Sequence, residues 1–309
     1  EPKGDIELRI LDSTDPAQIR TFESTIDLEH TVFVVSSKSG STLETRMFQE
    51  YFRDRLETAV GGDIAPSRFC VVTDAGSELD EYAGGQGFRA VFHGDAAVGG
   101  RYSALTYFGM LPASVVGCDV ERLLSKARSM ADACRPSHEG LQNPGVWLGL
   151  LLGPAARAGR NKLTLSVSSS LSGFGAWIEQ LVAESTGKLG HGVIPIEGEC
   201  LGEPGVYGTD RLFIGVTIKG EEDTENERAL DRLAEAGHPV VRFSLDSTYD
   251  LGAECYRWEF ATAVAGAVLE IHPFNQPDVE GTKLITRNLI KRYDKFRIND
   301  YFLFNYYYR

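Results

Sequence analysis

The feature that most constrains the fold is an alternation of short, β-branched apolar runs with helix-patterned segments, which occurs twice and is interrupted once. Residues 6–11 (IELRIL), 31–36 (TVFVVS), 68–74 (RFCVVTD) and 89–94 (RAVFHG) read as strands separated by helical or helix-bearing stretches. A second series follows, with 161–169 (NKLTLSVSS), 192–198 (GVIPIEG), 211–218 (RLFIGVTI) and 239–245 (PVVRFSL) as strands. Its helices are expected at 174–186 (FGAWIEQLVAEST), 224–237 (TENERALDRLAEAG) and 254–271 (ECYRWEFATAVAGAVLEI). Strands and helices taking turns are the pattern of a parallel α/β layer. Between the series, residues 101–159 read as consecutive helices broken at Pro112, at RPSHEG and at NPG. Two similar α/β lobes with a helical linker are therefore expected. A short echo of ILDSTD at 10–15 in LDSTYD at 245–250 is in keeping with two lobes.

The junction after the second run is chemically loaded. Ser37, Lys38, Ser39, Gly40, Ser41 and Thr42 stand between the carboxyl end of a strand and the amino end of a helix. That helix is expected from Leu43, with an apolar stripe of Leu43, Met47, Tyr51 and Leu56 and a capping box of Ser41 with Glu44. Unpaired backbone N–H groups, a positive helix end and several hydroxyls suit a bound oxyanion, phosphate above all. The Gly-Lys-Ser/Thr ending of a Walker loop is missing, which argues against a nucleoside triphosphate. A merely capped helix start explains the same residues.

Composition limits the partners. The 309 residues suffice for about two domains, and 44 acidic against 31 basic residues, a net charge of -13, disfavour a nucleic-acid surface. The five cysteines, Cys70, Cys118, Cys134, Cys200 and Cys255, are scattered without the spacing of a zinc site or a disulfide framework. The run 146–159 (VWLGLLLGPAARAG) is too short for a membrane span and contains Pro154. The first ten residues lack the n- and h-regions of a signal peptide. The cytoplasm is the expected compartment.

Four further stretches carry candidate chemistry. GGRYSALTYFG at 99–109 brings an arginine beside a glycine pair, and WIEQLVAESTGK at 177–188 sets Gln180 and Glu184 four apart on one helix face. HPFNQPDVEGTK at 272–283 is a proline-bounded loop delivering Lys283, and GEPGVYGTDRLF at 202–213 is a glycine-rich approach to a strand.

Taken in order, these motifs resemble the phosphoglucose isomerase family, over roughly residues 11–283. SSKSGSTLET resembles its phosphate loop, GGRYS its arginine segment, EQLVAESTGK its catalytic-glutamate segment and FNQPDVEGTK its carboxyl-terminal lysine segment. With LDSTDP and VYGTDRLF the spacing is most similar to the isomerase half of bacterial proteins that fuse transaldolase to phosphoglucose isomerase. The resemblance implies an α/β fold of two flavodoxin-like, three-layer sugar-isomerase (SIS) domains with parallel sheets and the active site between them. They would occupy 1–118 and 160–285, with a helical linker at 119–159 and a helix and aromatic tail, ending YFLFNYYYR, at 286–309. It further implies a cytoplasmic glycolytic and gluconeogenic isomerase of glucose 6-phosphate and fructose 6-phosphate. Such an enzyme would use no metal or cofactor, bind neither nucleic acid nor membrane, and form a homodimer at full length. Ser37, Lys38, Ser39 and Thr42 would hold the phosphate. Glu184 would carry the proton, Arg101 would stabilise the enediolate, Gln180 would orient the substrate and Lys283 would assist ring opening.

Two departures accompany the resemblance. Asp210 stands where the family has its ring-opening histidine, and none of His30, His93, His138, His191, His238 or His272 fits that motif, although His272 and His191 lie near functional segments. The family's Gly-x-Gly-Gly-Ser-x-x-Gly segment is absent, so the first domain is expected to be truncated at its amino end. A non-catalytic sugar-phosphate-binding SIS protein is the competing class, and it has no need to keep Glu184, Arg101 and Lys283 together.

Overall fold

A computed structural model describes residues 6–137, 140–221, 224–277, 281–282, 284–286 and 288–289. The first sheet consists of β1 (Phe33–Ser36), β2 (Phe69–Asp74) and β3 (Ala90–Gly94), all parallel, in the order β1-β2-β3. Its helices are α1 (Pro16–Ser24), α2 (Leu43–Val60) and α3 (Glu78–Gln86). Next come α4 (Tyr107–Val115), α5 (Val120–Ala133) and α6 (Pro144–Arg157). The second sheet holds β4 (Lys162–Val167), β5 (Ile194–Ile196), β6 (Arg211–Ile218) and β7 (Val240–Leu245), again parallel, in the order β5-β4-β6-β7. With it go α7 (Ser172–Thr186), α8 (Thr224–Glu235) and α9 (Leu251–Val268). The parallel α/β class expected from the alternation is the class observed. No helix among the described residues is long and apolar enough to cross a membrane.

β6 shows why the strands read as unbroken apolar runs. Its side chains alternate between faces. Leu212, Ile214, Val216 and Ile218 join the core built with Ile178 and Leu181 of α7 and Trp258 and Ala261 of α9. Phe213 points the other way and packs on Leu230 and Leu233 of α8. Both faces are covered, so no polar alternation survives. The first sheet builds a separate core of Val35, Phe52, Leu56, Phe69, Val71 and Leu79. In it Phe33 stacks on Phe52 and Phe69 at centroid distances of 4.8 and 5.4 Å. α6 crosses α9 closely, because Gly149 leaves no side chain where a Cβ would lie 2.5 Å from the Val264 Cβ and 2.7 Å from the Ala261 carbonyl oxygen.

Three local expectations fail. Residues 6–11 form no strand: no ladder joins them to another segment among the described residues, and Ile6, Leu8 and Ile10 are exposed. The buried face of α2 is Gln49, Phe52 and Leu56, so Leu43, Met47 and Tyr51 of the expected stripe stand in solvent. The capping box is also absent. Thr42 is the N-cap, it makes no side-chain capping bond, and Ser41 Oγ instead lies 2.9 Å from Ser39 Oγ. The two LDST segments share a different role, since each leads into a helix: Asp15 caps α1 through Ala17 and Gln18, and Asp250 closes a capping box with Ser247 ahead of α9.

Candidate active site

The hydroxyl-rich loop sits at the carboxyl rim of the first sheet, after β1. The Ser37 hydroxyl donates to Thr42 Oγ1 at 3.0 Å, closing the loop on itself. Gly40 turns the chain at φ +68°, and any Cβ there would lie 2.6 Å from the Leu79 backbone nitrogen, so the loop rests directly on α3. With no side chain capping α2, the amides of its first turn remain open to an anion, and the macrodipole favours one there.

Lys38 faces away from that task. Its ammonium pairs with the Asp74 carboxylate and donates to the carbonyls of Asp95 and Ala96 at 3.1 and 3.4 Å. The side chain thus ties β1 to the ends of β2 and β3, which leaves its backbone as the part able to serve a bound phosphate. The segment it fixes continues within five residues to Arg101, a span of at most about 18 Å.

Arg101 lies on a 3-10 turn, Gly100–Tyr102, and is buried. Its guanidinium donates to Ser185 Oγ at 2.6 Å, to the Pro273 carbonyl at 3.0 Å and to the Asn275 carbonyl at 3.1 Å. Its Nε is buried with no hydrogen-bond partner among the described residues and stands 3.7 Å from Glu184 Oε2. α7 returns from the carboxyl end of β4, so its last turn delivers Glu184 and Ser185 to the amino rim of the second sheet. Gln180, one turn earlier, is exposed. The Glu184 carboxylate is partly open to solvent, at 29%. A carboxylate beside a fixed cation, reachable from outside, can exchange a proton with a carbon acid whose developing negative charge the cation stabilises.

Sequence reasoning missed several parts of this cluster. The Tyr102 hydroxyl donates to Ser185 Oγ at 3.2 Å, and burial pushes the Tyr102 phenol up from its ordinary value. Lys188 donates to the carbonyls of Ser185 and His272 at 2.9 and 2.7 Å, fixing the loop after α9. Ser185 and Lys188 adjoin Glu184 in the motif already singled out, a usable signal, whereas backbone carbonyls leave no mark in a sequence.

Lys283 lies outside the described residues, as do His138 and the aromatic tail. Asp210 does not suit the place of the missing histidine. It pairs with Lys162 at the start of β4, and that hydrogen bond holds its carboxyl below the ordinary range, so it has no proton to donate at neutral pH. His272 is exposed, and its Nδ1 accepts from the Phe274 amide at 3.3 Å.

Comparison with known proteins adds an independent line. The phosphoglucose isomerase family model matches residues 2–198. A Methanocaldococcus jannaschii protein named glucose-6-phosphate isomerase is 26% identical, over 91% of this chain and 77% of its own length. A Rubrobacter xylanophilus protein of the same name is 29% identical, over 92% and 74%. The solved structure of a hypothetical protein from Thermus thermophilus superimposes with a TM-score of 0.81 at 28% identity, covering 91% of this chain and 76% of that one.

Proposed function

The chain belongs to the phosphoglucose isomerase family, and from that membership we propose that it interconverts glucose 6-phosphate and fructose 6-phosphate, a step shared by glycolysis and gluconeogenesis. The phosphate is held by the hydroxyls of Ser37, Ser39 and Thr42, by the backbone of Lys38 and by the open amides of α2. Gln180 orients the opened sugar. Glu184 removes the proton from C2 of the aldose, and the electron pair moves into the C1–C2 bond while the C1 carbonyl oxygen takes the charge. Arg101 stabilises the resulting cis-enediolate. Glu184 returns the proton to C1, the remaining hydroxyl proton shifts from O2 to O1, and the ketose results. Lys283 assists ring opening, and the enzyme acts as a cytoplasmic homodimer.

The observation that carries this reading is the pairing of Glu184 with the otherwise unpartnered Nε of Arg101 at 3.7 Å. Glu184→Gln keeps the shape and removes the base. Turnover of fructose 6-phosphate is expected to fall by about a hundredfold or more with ligand binding retained. Near-parental turnover with intact binding would remove Glu184 from the role. A parental chain that binds fructose 6-phosphate without converting it would favour the non-catalytic class.

A further inference from the structure

A lysine ammonium carries three N–H donors, and on Lys38 each meets an acceptor: the Asp74 carboxylate and the carbonyls of Asp95 and Ala96. Turning it toward a bound phosphate would break all three bonds. Asp74 grips the lysine a second time, since its own amide donates to the Lys38 carbonyl at 3.0 Å, where the Thr73 hydroxyl donates as well at 3.3 Å. The last residue of β2 thus fixes Lys38 at both its backbone and its side chain.

The surroundings of Asp74 are shaped to admit its carboxylate. Asp74 stands opposite Gly94 in the register of β2 and β3, and a Cβ at Gly94 would lie 2.9 Å from Asp74 Oδ1 and 2.6 Å from Phe108 Cε2. From Gly94 the chain runs through one turn, closed by the Val98 amide on the Asp95 carbonyl at 3.0 Å, and into the 3-10 turn of Arg101, closed by the Tyr102 amide on the Gly99 carbonyl at 2.9 Å. Residues 95–97 are exposed, and among the described residues their hydrogen bonds beyond their own turn are those from Lys38. At the other end the Arg101 guanidinium holds Ser185, Pro273 and Asn275. The segment 95–101 therefore runs from an anchor on the phosphate loop to an anchor beside Glu184.

We propose that Asp74 is a positioning residue, which by holding Lys38 makes that side chain a strap fixing Arg101 relative to the phosphate loop. The proposal rests on the isomerase reading, in which the phosphate on C6 and the reacting C1 and C2 stand at opposite ends of the opened sugar. An error in the spacing of the two anchors leaves the phosphate bound and displaces the carbons from Glu184 and Arg101, and a shift of about 1 Å at reacting atoms can cost about a hundredfold in rate.

The test is a double-mutant cycle on the whole chain. Asp74→Asn keeps the shape of the side chain and removes its charge, and Lys38→Met keeps most of the stem and removes the ammonium. Each is expected to lower kcat for fructose 6-phosphate by about tenfold or more, with KM within about twofold of the parent, and the double variant to be no slower than the slower single, because residues acting as one unit do not add. If Asp74→Asn folds poorly, Lys38→Met opens the same strap from its other end. A KM raised about tenfold in Lys38→Met with parental kcat would make the ammonium a direct phosphate ligand, and additive losses would give the two residues separate roles; either overturns the proposal. Amide hydrogen exchange supplies a readout without catalysis. In both variants Val98 and Tyr102 should exchange about tenfold faster while Val71 within β2 keeps its parental rate. Unchanged exchange at Val98 and Tyr102, or equal acceleration at Val71, would overturn the strap. A parental chain that shows this exchange pattern and does not convert fructose 6-phosphate would refute the isomerase reading and leave the strap standing.

Discussion

Burying a carboxyl without a partner makes a pH prediction whose sign and size follow from the structure. Glu259 lies midway along α9, its Oε1 is buried with no hydrogen-bond partner among the described residues, and burial pushes its pKa up to about 8 from an ordinary 4.5. Tyr102, Cys255 and Tyr256 are the titratable groups it acts on, and none supplies a positive charge. Below about pH 4.5 the carboxyl is protonated in both folded and unfolded chains, and its contribution to stability is fully present. As pH rises the unfolded chain releases the proton first, so it binds fewer protons than the folded chain and stability declines until about pH 8. The interval of about 3.5 pH units, at about 1.4 kcal/mol each, sets a ceiling of about 5 kcal/mol. Glu259→Gln imitates the protonated acid and cannot ionise. Urea unfolding followed at the fully buried Trp258 on the same helix should show the variant near the parent at about pH 5 and several kcal/mol more stable by about pH 8. Glu254, raised to about 7 by burial, contributes a slope of the same sign to both proteins and cancels in the comparison. Parallel stability curves for parent and Gln would refute the reasoning, because they would mean that Glu259 ionises as readily in the folded chain as in the unfolded one.

Three other outcomes are expected. Ser37→Ala with Thr42→Ala removes two hydroxyls from the loop, at about 1.5 kcal/mol for each bond to a charged group, so KM for fructose 6-phosphate should rise by about a hundredfold in steady-state assays. An unchanged KM in the folded double variant would take the phosphate away from this loop. Arg101→Lys keeps the charge, but a single ammonium cannot reach Ser185 Oγ and the carbonyls of Pro273 and Asn275 together; stability should fall by about 3 kcal/mol and turnover with it, and parental values for both would contradict the bonding described. Gly149→Ala sets a methyl against Val264 and Ala261 and should cost about 1–3 kcal/mol in denaturant unfolding, with no loss expected if α6 and α9 can part without strain.

What was legible in the sequence is what local pattern controls. β6 reads clearly because a strand buried on both faces is a nearly unbroken apolar run. Residues 6–11 carry a comparable run and form no strand, since a strand also needs a neighbour whose N–H and C=O groups complete the ladder. The stripe on α2 failed for a related reason. Helical periodicity says which residues share a face, and the tertiary structure decides which face is covered, here that of Phe52 and Leu56. Lys38 had the right type and place for an anion, yet its partner Asp74 lies 36 residues away, a distance at which no local motif speaks.

Arg101 marks the same limit at the site itself, and its bonding explains what a motif could not. Its partners come from 84 and more than 170 residues further along the chain. Its hydrogen bonds go to a serine hydroxyl and two backbone carbonyls, neutral acceptors that fix the guanidinium without cancelling its charge. A carboxylate in the place of the Pro273 carbonyl would hold the arginine equally well and neutralise it, leaving little field for a developing oxyanion. Glu184 is near enough, at 3.7 Å from Nε, to feel the cation, and it makes no hydrogen bond with it. The Glu184 carboxylate is thus the one charged group set against this guanidinium among the contacts described, an arrangement chemically able to move a proton between adjacent carbons when the charge that appears on oxygen must be met at once.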